Sequence, residues 1–177
     1  MNTITVIGKG KSYKGGRPDC QKIACVSETS NFIPGKIDYL FCHDWDRIGW
    51  IKAETLLRVE HYVLPLFPHT PETRLPDIRR PAFLRNIEIY NLQTAPVKFN
   101  NIPTITAFSV MEAAVAWLIL EGFNDFTFVG VSYPGNMILE YSNIVTYPYP
   151  GTLEWLKINY IRIKKRLDDN NCKYVFT

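Results

Sequence analysis

Three short runs of apolar, largely β-branched residues, Ile4 to Ile7, Lys22 to Val26 and Ile37 to Cys42, dominate the first quarter of the chain and show little polar alternation. A strand with one face in water alternates in polarity. A run that stays apolar is buried on both faces, as strands are in a parallel sheet covered on each side. The runs alternate with helical patterns, so the expected architecture is an α/β sheet.

Trp45 to Val59 carries Ile48, Ile51, Leu56 and Val59 at roughly helical spacing, and Tyr62 to Leu66 returns to strand character. Pro65, Pro68, Pro71, Pro76 and Pro81, mixed with Arg74, Arg79 and Arg80, mark a surface excursion. Ser109-Val110-Met111-Glu112 fits the capping box S-x-x-E, an apolar run follows, and Gly122 stands where a C′ glycine belongs. This predicts a buried helix over 110–121. Phe126 to Val131 reads as a central strand, and Thr152 as the cap of a last helix whose apolar face is Leu153, Leu156, Tyr160, Ile163 and Leu167. Cys172 to Phe176 reads as a final strand. No repeat or linker divides the sequence, so 1–177 is taken as a single domain.

The 177 residues are 46% hydrophobic, 14% aromatic and 21% charged, the composition of a globular domain. Twenty Lys+Arg against 17 Asp+Glu leave a net charge of +3, scattered, with no basic run longer than Lys164-Lys165-Arg166. That excludes bulk nucleic-acid binding and suits a small anionic ligand. The apolar run from Val110 to Leu120 is too short to span a bilayer, and Glu112 interrupts it. Met1-Asn2-Thr3 runs into the first strand without a secretory leader pattern, so a cytoplasmic location is expected. Cys20, Cys25, Cys42 and Cys172 form no C-x-x-C pair, which argues against a zinc site or a disulfide framework.

Gly8-Lys9-Gly10-Lys11-Ser12 follows the first strand, where the carboxyl edge of an open α/β sheet collects ligands and glycines let N–H groups approach phosphate. Gly10-Lys11-Ser12 matches the end of a Walker A motif, but its first glycine would fall on Thr5 inside the strand. The dinucleotide fingerprint fails as well, with Tyr13 at its third glycine. Two readings remain: an anion loop, or a sharp turn with two solvated lysines. On the first, Gly10→Val should remove binding of a phosphorylated ligand from a folded domain.

A strand ending V-I-G-x-G-x-S and followed by a short loop resembles the phosphate loop of the sialyltransferase-like and motility-accessory-factor (MptE-like) group, which commonly reads G-N-G-P-S. Lys9 and Lys11 stand here for the Asn and Pro. The stretch from Ser109 to Gly122, then Phe126 to Ser132, is similar to a second block of that group, with Ser132 in place of its Asp and Phe108-Ser109 in place of its Ser-Gly. Ser27 and His43-Asp44 stand where members of the group place polar residues facing the nucleotide. The resemblance implies a single Rossmann-like domain, a mostly parallel sheet with helices on both faces, that binds a nucleotide. The activity it implies is glycosyl transfer from a nucleotide-sugar donor. The alternatives are a non-catalytic nucleotide-binding or sequestering module and a pyrophosphokinase-type phosphotransferase.

The expected ligand contacts are Gly8, Lys9, Gly10, Lys11, Ser12, Ser27, Ser109, Ser132 and Tyr133, with His43 and Asp44 as the catalytic candidates. His43 has an imidazole suited to general-base work, yet a histidine at a strand end is also an ordinary structural residue. The D-x-D spacing of Asp44 and Asp46 suits a divalent cation against a diphosphate, or a helix cap. Lys9 and Lys11 can neutralise phosphate unaided, so binding without metal and without a cofactor is expected. Glu112 reads as a cap, and Tyr133, Tyr141, Tyr147 and Tyr149 as a stacking surface or a rigid loop. The partners expected are a nucleotide or nucleotide sugar, with no nucleic acid and no membrane span; the oligomeric state stays open.

Overall fold

The computed structural model describes residues 2–10, 12–43, 45–66, 86–94, 98–131 and 153–177, with the side chains of 45–47 and 153–156 left aside. Eight strands form one sheet: β1 (Thr3–Ile7), β2 (Ile23–Val26), β3 (Ile37–Phe41), β4 (Val59–Pro65), β5 (Ile87–Leu92), β6 (Thr104–Ile105), β7 (Asp125–Val129) and β8 (Lys173–Phe176). All neighbouring pairs run parallel, in the order β6-β5-β4-β3-β2-β1-β7-β8. The chain therefore steps outward from β1 through β6, then returns to add β7 and β8 on the other side. This is a doubly wound, Rossmann-like α/β fold.

The reversal also assigns the covering elements to faces. Right-handed crossovers place connections on one face while the chain steps one way, and on the opposite face when it steps the other way. The outward steps carry a 3₁₀ helix at Ser27–Phe32, another at Trp45–Trp50 and the short α1 (Ala53–Leu56), and these pack with Ile7, Ile23, Ile37, Leu40 and Leu64. The return steps carry α2 (Val110–Leu120) and α3 (Leu153–Asp169), over Val6, Phe41, Tyr90, Phe126 and Phe128.

Several elements match the sequence patterns. In α2, Ser109 Oγ accepts from Glu112 N at 3.1 Å and Glu112 Oε2 accepts from Phe108 N at 2.6 Å, so the capping box is formed. Gly122 at φ 86° ends the helix, with Phe123 N donating to Leu118 O at 3.0 Å. In α3, Ile163 and Leu167 are buried as its apolar face requires. The segment 45–59 departs from its pattern: it splits into the 3₁₀ turn, α1 and the start of β4. The Pro- and Arg-rich stretch 67–81, the tyrosine cluster and Thr152 lie outside the described residues.

Candidate functional site at the carboxyl edge

The point where the strand order reverses lies between β1 and β7. In open α/β sheets the crevice at such a point, outside the carboxyl ends of the strands, is where ligands bind. Gly8, Lys9 and Gly10 leave β1 here, and Gly130 and Val131 leave β7.

The two exits touch along their main chains. Gly8 N donates to Val129 O at 2.8 Å, Gly10 N donates to Gly130 O at 2.7 Å, and Gly130 N donates back to Ser12 Oγ at 2.8 Å. A Cβ on Gly8 or on Gly10 would lie 2.6 Å from Gly130 O, and one on Gly130, at φ 70°, would lie 2.5 Å from Gly8 O. The glycines are thus required by the seam between β1 and β7. This changes the expectation for Gly10→Val: a β-branched side chain would meet backbone, so the substitution attacks the fold and cannot isolate ligand binding. The N–H groups of Gly8 and Gly10 are engaged within the protein, which leaves side chains, the Lys9 ammonium foremost, as the described loop groups for an anion.

Lys9 is itself paired. Its Nζ lies 2.5 Å from Glu28 Oε1, with side-chain exposures of 27% for the lysine and 12% for the glutamate. Glu28 sits in the first turn of the 3₁₀ helix that follows β2, and Oε2 of its carboxylate is buried without a hydrogen-bond partner. The residue between β2 and Glu28 is Ser27, at φ 48°. Such a left-handed serine costs of order 1–3 kcal/mol, a strain that collects at ligand sites. Its carbonyl accepts from Ser30 Oγ at 2.9 Å.

The end of β3 completes this side of the edge. Burial pushes the Cys42 thiol up to about 12, against the opposing pull of the Ser27 hydroxyl and of Lys9. His43, 6% exposed, packs its ring at 48° to Tyr90 with centroids 6.1 Å apart. It is buried against Tyr90 and not displayed to solvent.

The first turn of α2 comes in from the opposite face. A Cβ placed on Gly8 would lie 3.1 Å from Met111 Cε, so the amino end of this helix borders the glycine turn. Ser109 is buried with its Oγ engaged as the cap, and Glu112, 2% exposed, receives Arg162 Nε at 2.9 Å and Arg166 Nη2 at 3.4 Å from α3. Glu112 is therefore a structural tie as well as a cap.

Of the sequence candidates, Gly8, Lys9, Gly10, Ser12 and Ser27 gather at this edge, with His43 at the end of β3 and Ser109 at the start of α2. Lys11, Asp44, Ser132, Tyr133 and the Asp46 side chain lie outside what is described. Glu28 and Gly130 were not among the candidates; the available signal for Glu28 was an acidic residue just past the second apolar run. Among the described residues no group of three or more His, Cys, Asp or Glu could hold a metal ion, and no helix is long and apolar enough to cross a membrane. Comparison of the chain with family models, with curated proteins and with solved structures finds no match, so the site's own geometry carries the functional argument.

Proposed function

We propose that this protein binds a nucleotide at the carboxyl edge between β1 and β7, in the manner of proteins that take a nucleotide-sugar donor for glycosyl transfer. One observation carries the reading: the strand order reverses at the glycine seam, with Lys9 and the first turn of α2 on its two sides. Lys9 supplies positive charge for a phosphate on a flexible stem, and the helix terminus adds the positive end of its dipole. The burial of His43 against Tyr90 favours a second reading, in which the site holds its ligand without turning it over.

Thermal denaturation in the presence of nucleoside mono- and diphosphates and their sugar conjugates tests the first reading, and release of free nucleotide from the conjugates separates it from the second. At least one nucleotide should raise the melting temperature, and Lys9→Ala should abolish that rise. A panel in which no nucleotide moves the transition would refute binding.

A further inference from the structure

Glu28 is held in an arrangement that its pairing with Lys9 only half explains. The left-handed Ser27 turns the chain at the end of β2 so that the next side chain reaches across to the end of β1. One carboxylate oxygen takes Lys9 Nζ at 2.5 Å, while the other is buried with no hydrogen-bond partner. An ionised carboxylate oxygen can only accept, and a buried acceptor without a donor is among the costlier features a fold retains. Had charge neutralisation of Lys9 been the sole requirement, an exposed carboxylate would serve without that cost.

The chemistry that suits the second oxygen is a ligand group that donates. Phosphate oxygens accept and carry like charge, so they are excluded from Glu28. A vicinal diol offers two O–H donors at a spacing that a carboxylate can receive. We propose that Glu28 receives the ribose hydroxyls of the bound nucleotide, and that the site therefore selects ribonucleotides over their 2′-deoxy counterparts. The proposal rests on the nucleotide reading given above and names the part of the ligand that is discriminated.

Both charges keep partners when such a ligand enters. The phosphate replaces Glu28 as the counter-ion of Lys9, whose partly exposed stem can swing, and the ribose hydroxyls replace Lys9 at the carboxylate. The placement also agrees with the geometry of doubly wound sheets, in which an acidic residue about 20 residues beyond the glycine turn, at the end of the second strand, meets the ribose. Here Glu28 follows Lys9 by 19 positions. The same carboxylate would repel a 2′-phosphate.

The test is isothermal titration of AMP, CMP, GMP and UMP, each beside its 2′-deoxy form, into the wild-type protein, Glu28→Gln and Glu28→Ala. A ribonucleotide should bind with its deoxy form weaker by about tenfold or more, a difference of about 1.4 kcal/mol. That ratio should collapse toward one in Glu28→Ala. Equal binding of the two forms by the wild type overturns the role of Glu28 and leaves nucleotide binding standing. So does a ratio that survives in Glu28→Ala, since another group would then be reading the sugar. Should Glu28→Ala not fold, the wild-type ratio decides together with Glu28→Gln, whose single amide oxygen accepts fewer hydroxyl hydrogen bonds and should lower the ratio; a ratio unchanged in Glu28→Gln overturns the role of Glu28. Absence of binding by all eight compounds overturns this proposal, and the nucleotide reading then stands or falls separately with the diphosphates and sugar conjugates of the thermal panel.

Discussion

The two faces of the sheet are closed by different means. On one, α2 and α3 run for 11 and 17 residues over a core rich in aromatic rings, including Phe41, Tyr90, Trp117, Phe126 and Phe128. On the other, two six-residue 3₁₀ helices and the four-residue α1 cover Ile, Leu and Cys side chains. A long helix satisfies its own main chain, which frees side chains to tie one helix to another, as Glu112 does with Arg162 and Arg166. Irregular cover leaves carbonyls to be satisfied from elsewhere. Tyr13 Oη accordingly donates to Gly16 O at 2.7 Å and Phe32 O at 3.0 Å, Tyr62 Oη to Leu56 O, and Arg58 Nη1 to Ile33 O at 2.7 Å and Gly35 O at 2.5 Å. The helical face thus holds its main ion-pair tie at Glu112, while on the other face several side chains donate to main-chain carbonyls, and the seam at Gly130 lies between the two.

The strongest way to break this arrangement is at the seam, where neither face can compensate. Gly130→Val adds left-handed strain to a backbone collision and should cost about 2–6 kcal/mol, enough to leave little folded protein. A urea transition unchanged from wild type would remove the seam from the argument. Next comes Glu112→Ala, which strikes only the helical face. A broken buried pair costs about 3–5 kcal/mol, but Arg162 and Arg166 are partly exposed and regain water, so we expect about 2–3 kcal/mol by urea denaturation. Stability within 0.5 kcal/mol of wild type, a difference near the noise of a surface substitution, would show the tie to be idle.

The 3₁₀ face should be the more sensitive to alkali. Burial raises Tyr13, Tyr62 and the Cys42 thiol there to about 12 and pushes Cys25 up as well, while on the helical face Tyr39 shares the shift to about 12. These groups hold their protons more tightly folded than unfolded, so unfolding releases protons above the unfolded values. Stability is then intact below about pH 9 and falls as the pH climbs toward 12, Cys42 alone contributing about 1.4 kcal/mol per unit. A melting temperature that stays flat from pH 8 to 11 would contradict this.

How much of the fold could be read in advance differs between the same two faces. The capping box at Ser109 and Glu112 placed α2 to within one residue, because a regular helix repeats its pattern over several turns. Ile48 and Ile51 carry an i, i+3 spacing that fits a 3₁₀ turn as well as an α-helix, and the pattern from 45 to 59 concealed both a change of helix type and the start of β4. β5 and β6 escaped notice altogether: Glu88 and Asn91 interrupt the first, and the second is two residues long. At the site, Gly8 and Gly10 were legible as places where a side chain is not tolerated. Their reason was not, since the atom that forbids a Cβ belongs to Gly130, and nothing local in one sequence records so distant a contact. Glu28 is a single carboxylate with no motif around it, and only its half-satisfied pairing distinguishes it.

The pairing of β1 with β7 also bears on the order of assembly during synthesis. Strands β1 to β5 are neighbours in chain order, so each can dock on its predecessor as it emerges from the ribosome. β1 must meanwhile wait, with one edge open, for a partner at residues 125–129. Until then the glycine turn lacks the carbonyls of Val129 and Gly130 that fix it. The binding edge is consequently finished late, and a nascent chain that has produced five strands holds the lysine and the glutamate without the turn that orients them.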